Sequence, residues 1–262
     1  MPSTYAHRIF GDLVSRRLSA GTGEIAAKNR ELFSIGLHGP DILFYHRPLR
    51  YSRINQLGRN MHKEKGRRFF TDAREMIRES EDPDAALAYI LGFICHFTLD
   101  SLCHPFVNDW ERKSGVPHVE IETEFDKMLM REEGKDPWTF DTAGHLCPGE
   151  KNSRIIGELL GISPKDADIA VKDMKKYCHF FTTENTAVRG IVFFFLKVSG
   201  LSHGIRGMFL NKKDNPGCSE SSEALREKLY SSVETAVKLL ENYVGFYWGE
   251  ETLQEEFERT YG

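Results

Sequence analysis

The sequence has no C-x-x-C pair, and its five cysteines, Cys95, Cys103, Cys147, Cys178 and Cys218, are an odd number. That excludes a thiolate zinc knuckle and a complete disulfide framework, and leaves reduced, mostly buried thiols as the expectation. β-Branched runs suited to a parallel sheet are missing too. In the second half the longest purely apolar stretch, 191–196, ends at Lys197; it falls far short of the ~20 residues of a membrane span and reads as a buried helix segment. The first residues, Met1 to His7, lack the charged segment and apolar run of an export signal, so the expected location is cytoplasmic. A formal charge of −4 provides no broad basic field, hence no strong nucleic-acid signal. The densest basic group, Lys63, Lys65, Arg67 and Arg68, reads as a solvated helix face.

What the chain does have is apolar residues at three- and four-residue spacing along most of its 262 positions, with 40% hydrophobic and 11% aromatic content. This predicts an all-α fold, a single multi-helix domain over 1–262 in which residues 1–131 bear the motifs and residues 132–262 add helices. The first helix is expected to start at Ser3 or Thr4, and others over 24–35, 65–80, 84–104 and 117–132. Pro105 disfavours helical geometry at His104, so the fourth helix is expected to end there, followed by a loop to Pro117. The stretch 133–151 is rich in Pro and Gly and reads as a loop or lid. Further helices are expected over 153–160, 164–179, 183–198 and 222–248.

His96, Asp100 and His104 fall at i, i+4 and i+8 of a predicted helix, which puts a carboxylate between two imidazoles on one stripe about 12 Å long. Composition alone gives about 0.02 chance occurrences of this pattern. Imidazole and carboxylate are natural zinc ligands, and the two oxygens of a central Asp are able to bridge two ions. His118 and Glu122 repeat the one-turn spacing at the start of the next helix, close enough to fold back beside the first. Asp41, after the tight Gly39-Pro40 turn, reads by itself as a loop cap, and His62 as a surface or core histidine.

Together these segments resemble a known family. Pro2-Ser3-Thr4-Tyr5-Ala6-His7, Gly36-Leu37-His38-Gly39-Pro40-Asp41, His62, the His96 to His104 triplet and Pro117-His118-x3-Glu122 resemble the zinc-dependent phospholipases C, whose fold is shared with zinc-dependent single-strand nucleases. The resemblance implies an all-α fold around Zn2+, three ions expected and two possible. It implies that Asp41, His62, His96 and Asp100 hold one zinc, that His104, His118 and Glu122 hold a second, and that His7, Asp100 and the chain's N-terminal end hold the third. Pro2 would be that end if Met1 is removed; if Met1 stays, a two-zinc enzyme or an inactive relative is implied. Three zinc ions set against the carboxylates of Asp41, Asp100 and Glu122 leave a formal charge of roughly +3, suited to a phosphodiester. The implied activity is phosphodiester hydrolysis by a zinc-activated water, with Asp41 as catalytic base or water-orienting group, a phospholipid substrate and peripheral membrane contact.

Two alternatives stay open: a nuclease or small phosphoester hydrolase on the same cluster, and a non-catalytic scaffold held together by zinc. The other histidines, His38, His46, His145, His179 and His203, read as structural or surface residues, with His38 the candidate partner for Asp41. Phe44 and Tyr45 are possible faces for a quaternary ammonium headgroup, though pocket rim or core is the plainer reading.

Overall fold

A single helix, α6 (Pro83–Ser114), is the post around which the chain winds. The structure, a computed structural model, describes residues 4–48, 50, 52–182 and 207–262. Among them stand ten α-helices, three short 3-10 helices and no strand. In chain order the helices are α1 (Thr4–Ser15), α2 (Ala20–Lys28), α3 (Arg30–Gly36), α4 (Arg53–Lys63), α5 (Gly66–Glu79), α6, α7 (His118–Glu132), α8 (Glu150–Leu160), α9 (Pro164–Phe181) and α10 (Ser219–Trp248). The 3-10 helices are Gly39–Tyr45, Pro216–Cys218 and Glu255–Glu258. The segment expected as a helix over 183–198, with its apolar run, lies outside the described residues, as do Pro2 and His203.

α6 starts at a firm signal. Asp82 accepts a hydrogen bond from the Ala85 amide at 3.2 Å and Pro83 takes the first helical position, where a missing N–H costs nothing. Among the described helices it is the one long and apolar enough to cross a membrane, yet 94% of that apolar window is buried inside the protein. It is a core helix, packed by α3, α10, α1 and α5.

The expected stop at His104 is overturned. α6 runs through Pro105 to Ser114 and ends at Gly115, whose φ of 72° suits a left-handed cap. Pro105 is exposed and Ser101, whose carbonyl it leaves unbonded, is only half-buried. Water can therefore satisfy the freed group, and the proline is tolerated. The expected loop to Pro117 shrinks to a tight turn.

Two other boundaries differ. The helix expected over 24–35 is broken at Asn29, which caps α2 and opens α3. α4 was not expected at all. Its signal is present in hindsight: Ser52 caps the Ile54 amide at 3.1 Å, and Ile54, Leu57 and Met61 follow at helical spacing.

α3 crosses α6 at backbone contact. A Cβ at Gly36 would lie 2.2 Å from the Tyr89 carbonyl oxygen, and one at Gly92 2.1 Å from that of Phe33. Only hydrogen fits at both positions, and the crossing aims the chain after Gly36 straight at the middle of α6.

Candidate metal centre

The α6 stripe forms one wall. His96 Nε2 lies 3.1 Å from Asp100 Oδ2, and His104 Nε2 lies 3.6 Å from Asp100 Oδ1. α7 extends this wall, with His118 Nε2 at 3.2 Å and His104 Nε2 at 3.4 Å from Glu122 Oε1. The turns of α6 beyond Pro105 are what hold α7 in place. Glu111 accepts from the His118 amide at 2.9 Å, and Asn108 Oδ1 meets His118 Nδ1 at 3.0 Å.

The facing wall is assembled from three separate elements. α1 brings His7, whose Nε2 is 3.2 Å from Asp100 Oδ1 and whose ring stacks on His96 at 4.4 Å between centroids. α1 is gripped at its start by Asp126, which accepts from the Tyr5 and Ala6 amides at 3.0 and 2.9 Å. Burial pushes the Asp126 carboxyl up to about 8, against the pull of those two amides.

The 3-10 helix Gly39–Tyr45 brings Asp41. Gly39 has φ 45°, and a Cβ there would meet the His96 ring at 2.3 Å, so both conformation and space require glycine. The Asn55 side chain ties the far end of this element by donating to the carbonyls of Leu43, Phe44 and His46 at 2.7, 3.1 and 3.0 Å. α4 brings His62, whose Nε2 is 3.0 Å from Asp41 Oδ1 and 4.0 Å from Asp100 Oδ2.

All eight described residues named from the sequence, His7, Asp41, His62, His96, Asp100, His104, His118 and Glu122, thus come together. They form three groups of potential metal donors: His7, His96 and Asp100; Asp41, His62 and His96; His104, His118 and Glu122, each with its donor atoms within 4.8 Å of one another. Asp100 is the hub, its two oxygens reaching imidazoles from α1, α4 and α6.

Donor chemistry fits a divalent cation. His62 Nδ1 meets the Gly58 carbonyl at 2.8 Å and His104 Nδ1 that of Tyr261 at 2.8 Å. A carbonyl only accepts, so both Nδ1 atoms carry the proton, and Nε2 is left facing carboxylates. Positive charge is wanted between them. It shows in the titration: although burial opposes the charge, Asp100 and Glu122 push His104 up to about 9. Burial likewise works against ionised Asp100, but His104, His96 and His7 hold its carboxyl well below the usual range. His7 Nδ1 and His96 Nδ1 are buried without a hydrogen bond, while the Nε2 atoms of both face Asp100. A cavity of about 20 Å³ lies among His7, Asp100, His104 and Glu122. The side chains of His118, His62 and His104 keep 25, 18 and 13% of their exposure, so the centre opens on that side.

One secondary reading changes. The His38 side chain does not serve Asp41; its Nε2 lies 2.7 Å from Nε2 of His145 in the 133–149 loop, and its ring stands beside His7 at 6.3 Å. Burial drives His145 down to about 3, so the pair is neutral. His145 had no spacing signal, and its partner is 107 residues away. Tyr45 is buried with its hydroxyl 3.9 Å from Cys178 Sγ, and Phe44 packs on His62 at 5.0 Å and carries Arg59 over its ring at 5.8 Å. Neither offers a vacant face to a quaternary ammonium. The basic group stands as a solvated face: Lys63, Lys65 and Arg68 are exposed, and Lys65 and Arg67 pair with Glu258.

Residues 1–179 of the chain match the family described as zinc dependent phospholipase C, a span that extends past the quoted motifs into α9. No curated protein and no solved structure matches the chain.

Proposed function

The chain belongs to the zinc-dependent phospholipase C family, and from that premise we propose that it hydrolyses a phosphodiester, with a phospholipid as substrate class, on a zinc cluster held by the three donor groups. The observation that carries this is the exposure of the three groups: the His118, His62 and His104 side chains keep 25, 18 and 13% of their exposure. Water and substrate can reach the donors from that side, and this favours catalysis over a closed scaffold site.

Zinc, when bound, supplies Lewis acidity toward phosphoryl oxygens and acidifies water. The residues supply the rest. Asp100 joins both walls, so that neighbouring sites share one carboxylate. Asp41 receives the attacking water: its Oδ1 stands 3.0 Å from His62 Nε2, beside the side on which the centre opens. Burial works against its ionisation, while the hydrogen bond from His62 and the surrounding positive charge hold its carboxyl below the usual range. It is therefore an anion at neutral pH, able to accept a hydrogen bond from the attacking water and orient it. The five imidazoles and Asp100 would hold the ions whose charge, in excess over the three carboxylates, draws a phosphodiester anion and offsets the charge that develops on the leaving oxygen.

Zinc content measured beside turnover of the parent and Asp41→Asn on a short-chain phospholipid, a generic phosphodiester and an oligonucleotide tests the proposal. Retained zinc with lost turnover is expected for the variant. A zinc-loaded parent that cleaves neither of the first two substrates would sink the reading, and preference for the oligonucleotide would move it to a nuclease.

A further inference from the structure

The segment 253–262 lies outside the span that matches the family, yet it returns to the metal centre from the far end of the chain. The start of α5 clamps it. Arg67 donates to the carbonyls of Leu253 and Gln254 at 3.1 and 2.9 Å, Lys65 pairs with Glu258 at 3.1 Å, and the Gly66 amide donates to the Arg259 carbonyl at 2.9 Å. Phe257 anchors it from beneath, stacked on Phe97 at 5.9 Å and edge-on to Phe70 at 5.0 Å. So held, the strap delivers Tyr261, 1% exposed, with its ring 5.3 Å from that of His62 and 6.0 Å from that of His96. Its main-chain carbonyl accepts from His104 Nδ1 at 2.8 Å. Gly262 follows at φ 131°, where a Cβ would come within 2.2 Å of His104 Cβ.

We propose that Tyr261 is a positioning residue of the metal centre: its carbonyl fixes the Nδ1–H tautomer of His104 and presents Nε2 to Asp100 and Glu122, while its ring walls in His62 and His96. The idea rests on the zinc reading above for its energetic consequence, but not for its geometry. The other two histidines on the open side take their Nδ1 partners locally, His62 from Gly58 four residues earlier and His118 from Asn108 ten residues earlier. His104 alone among these three takes it from a segment 157 residues away. An acceptor that fixes a ligand histidine in this way is worth about 10- to 100-fold in metal affinity.

The test compares the parent with a chain ending at Thr260, with Gly262→Val and with Tyr261→Phe. Zinc affinity is read by chelator competition, and the His104 ring nitrogens by 15N signals in metal-stripped protein at a pH above the titration of His104, which lies at about 9, where the ring is neutral and one nitrogen carries the proton. The parent should show the proton on Nδ1. The shortened chain and Gly262→Val should lose that signature and bind zinc at one site about 10- to 100-fold more weakly, with the remaining zinc retained. Tyr261→Phe keeps the carbonyl and should match the parent on both counts. Parental zinc affinity and an unchanged His104 signal in the shortened chain and in Gly262→Val would overturn the proposal. If the shortened chain does not fold, Gly262→Val decides alone, because it keeps the Phe257 anchor and the Tyr261 side chain in the sequence while the added Cβ, which would meet His104 Cβ, pushes the Tyr261 carbonyl away. A parent that binds no zinc ends the zinc reading, while the ring signal still decides the role of Tyr261.

Discussion

The two walls of the centre are built by different means. On the α6 and α7 side, ligands stand one turn apart on continuous helices, so their mutual placement follows from helix geometry. On the other side His7, Asp41 and His62 each come from a different element, and their placement depends on what those elements pack against. The first wall is fixed locally and the second by tertiary contact. Changes far from the centre should therefore disturb the second and leave the first standing.

Asp100 is the one residue on which both walls converge, and its loss should erase the distinction. Asp100→Asn is expected to lower zinc content in more than one group and to cut turnover more than about 100-fold, beyond the cost of removing an outer partner. Zinc stoichiometry beside initial rates checks this, and a variant retaining the full metal complement would contradict it.

Gly36→Ala probes the assembled wall alone. The added methyl meets the Tyr89 carbonyl oxygen, so α3 must shift, at about 2–3 kcal/mol measured by urea unfolding. The displacement should loosen Asp41 and His62 while the α6 donors keep their spacing.

Acid should reach the same wall through His145. Its folded pKa of about 3 lies below that of a free imidazole because burial disfavours the charge. The unfolded chain therefore binds the extra proton first, and stability falls as pH drops from about 6.5 toward about 3, with roughly 2 kcal/mol lost by pH ~5. Urea unfolding of metal-free protein across this window should show the slope in the parent and a shallower one in His145→Gln.

Asn108→Leu is the smallest perturbation and falls on the helical wall. It removes the acceptor at His118 Nδ1 from an exposed position, and should weaken zinc about 10-fold with unfolding unchanged. A large loss of stability there would show that the turns past Pro105 matter to the fold and not only to the ligand.

The same contrast explains what could be read from the sequence. The His96 to His104 stripe, the His118 and Glu122 pair, the 133–149 loop and the last long helix carry their own periodicity or punctuation, and the family resemblance added His7, Asp41 and His62. Pro105 misled because its general preference gives way where the ring faces solvent. α4 was hidden by its polar composition, although its cap and apolar stripe were present. His145 and the strap at Tyr261 had no local signal, since each meets its partner across more than a hundred residues. Contacts of that kind are set by packing alone.

His7 touches Asp100 and Tyr261 touches His104, so the two ends of the described chain meet at one place. During synthesis the helical wall can form as soon as α6 and α7 emerge, but the Tyr261 contact must wait for a segment 157 residues after His104. Pairings so distant are slow, because the intervening chain has to be ordered before the contact is made. The centre is thus among the last regions of the molecule to reach its final form, and metal captured earlier would meet an incomplete set of partners.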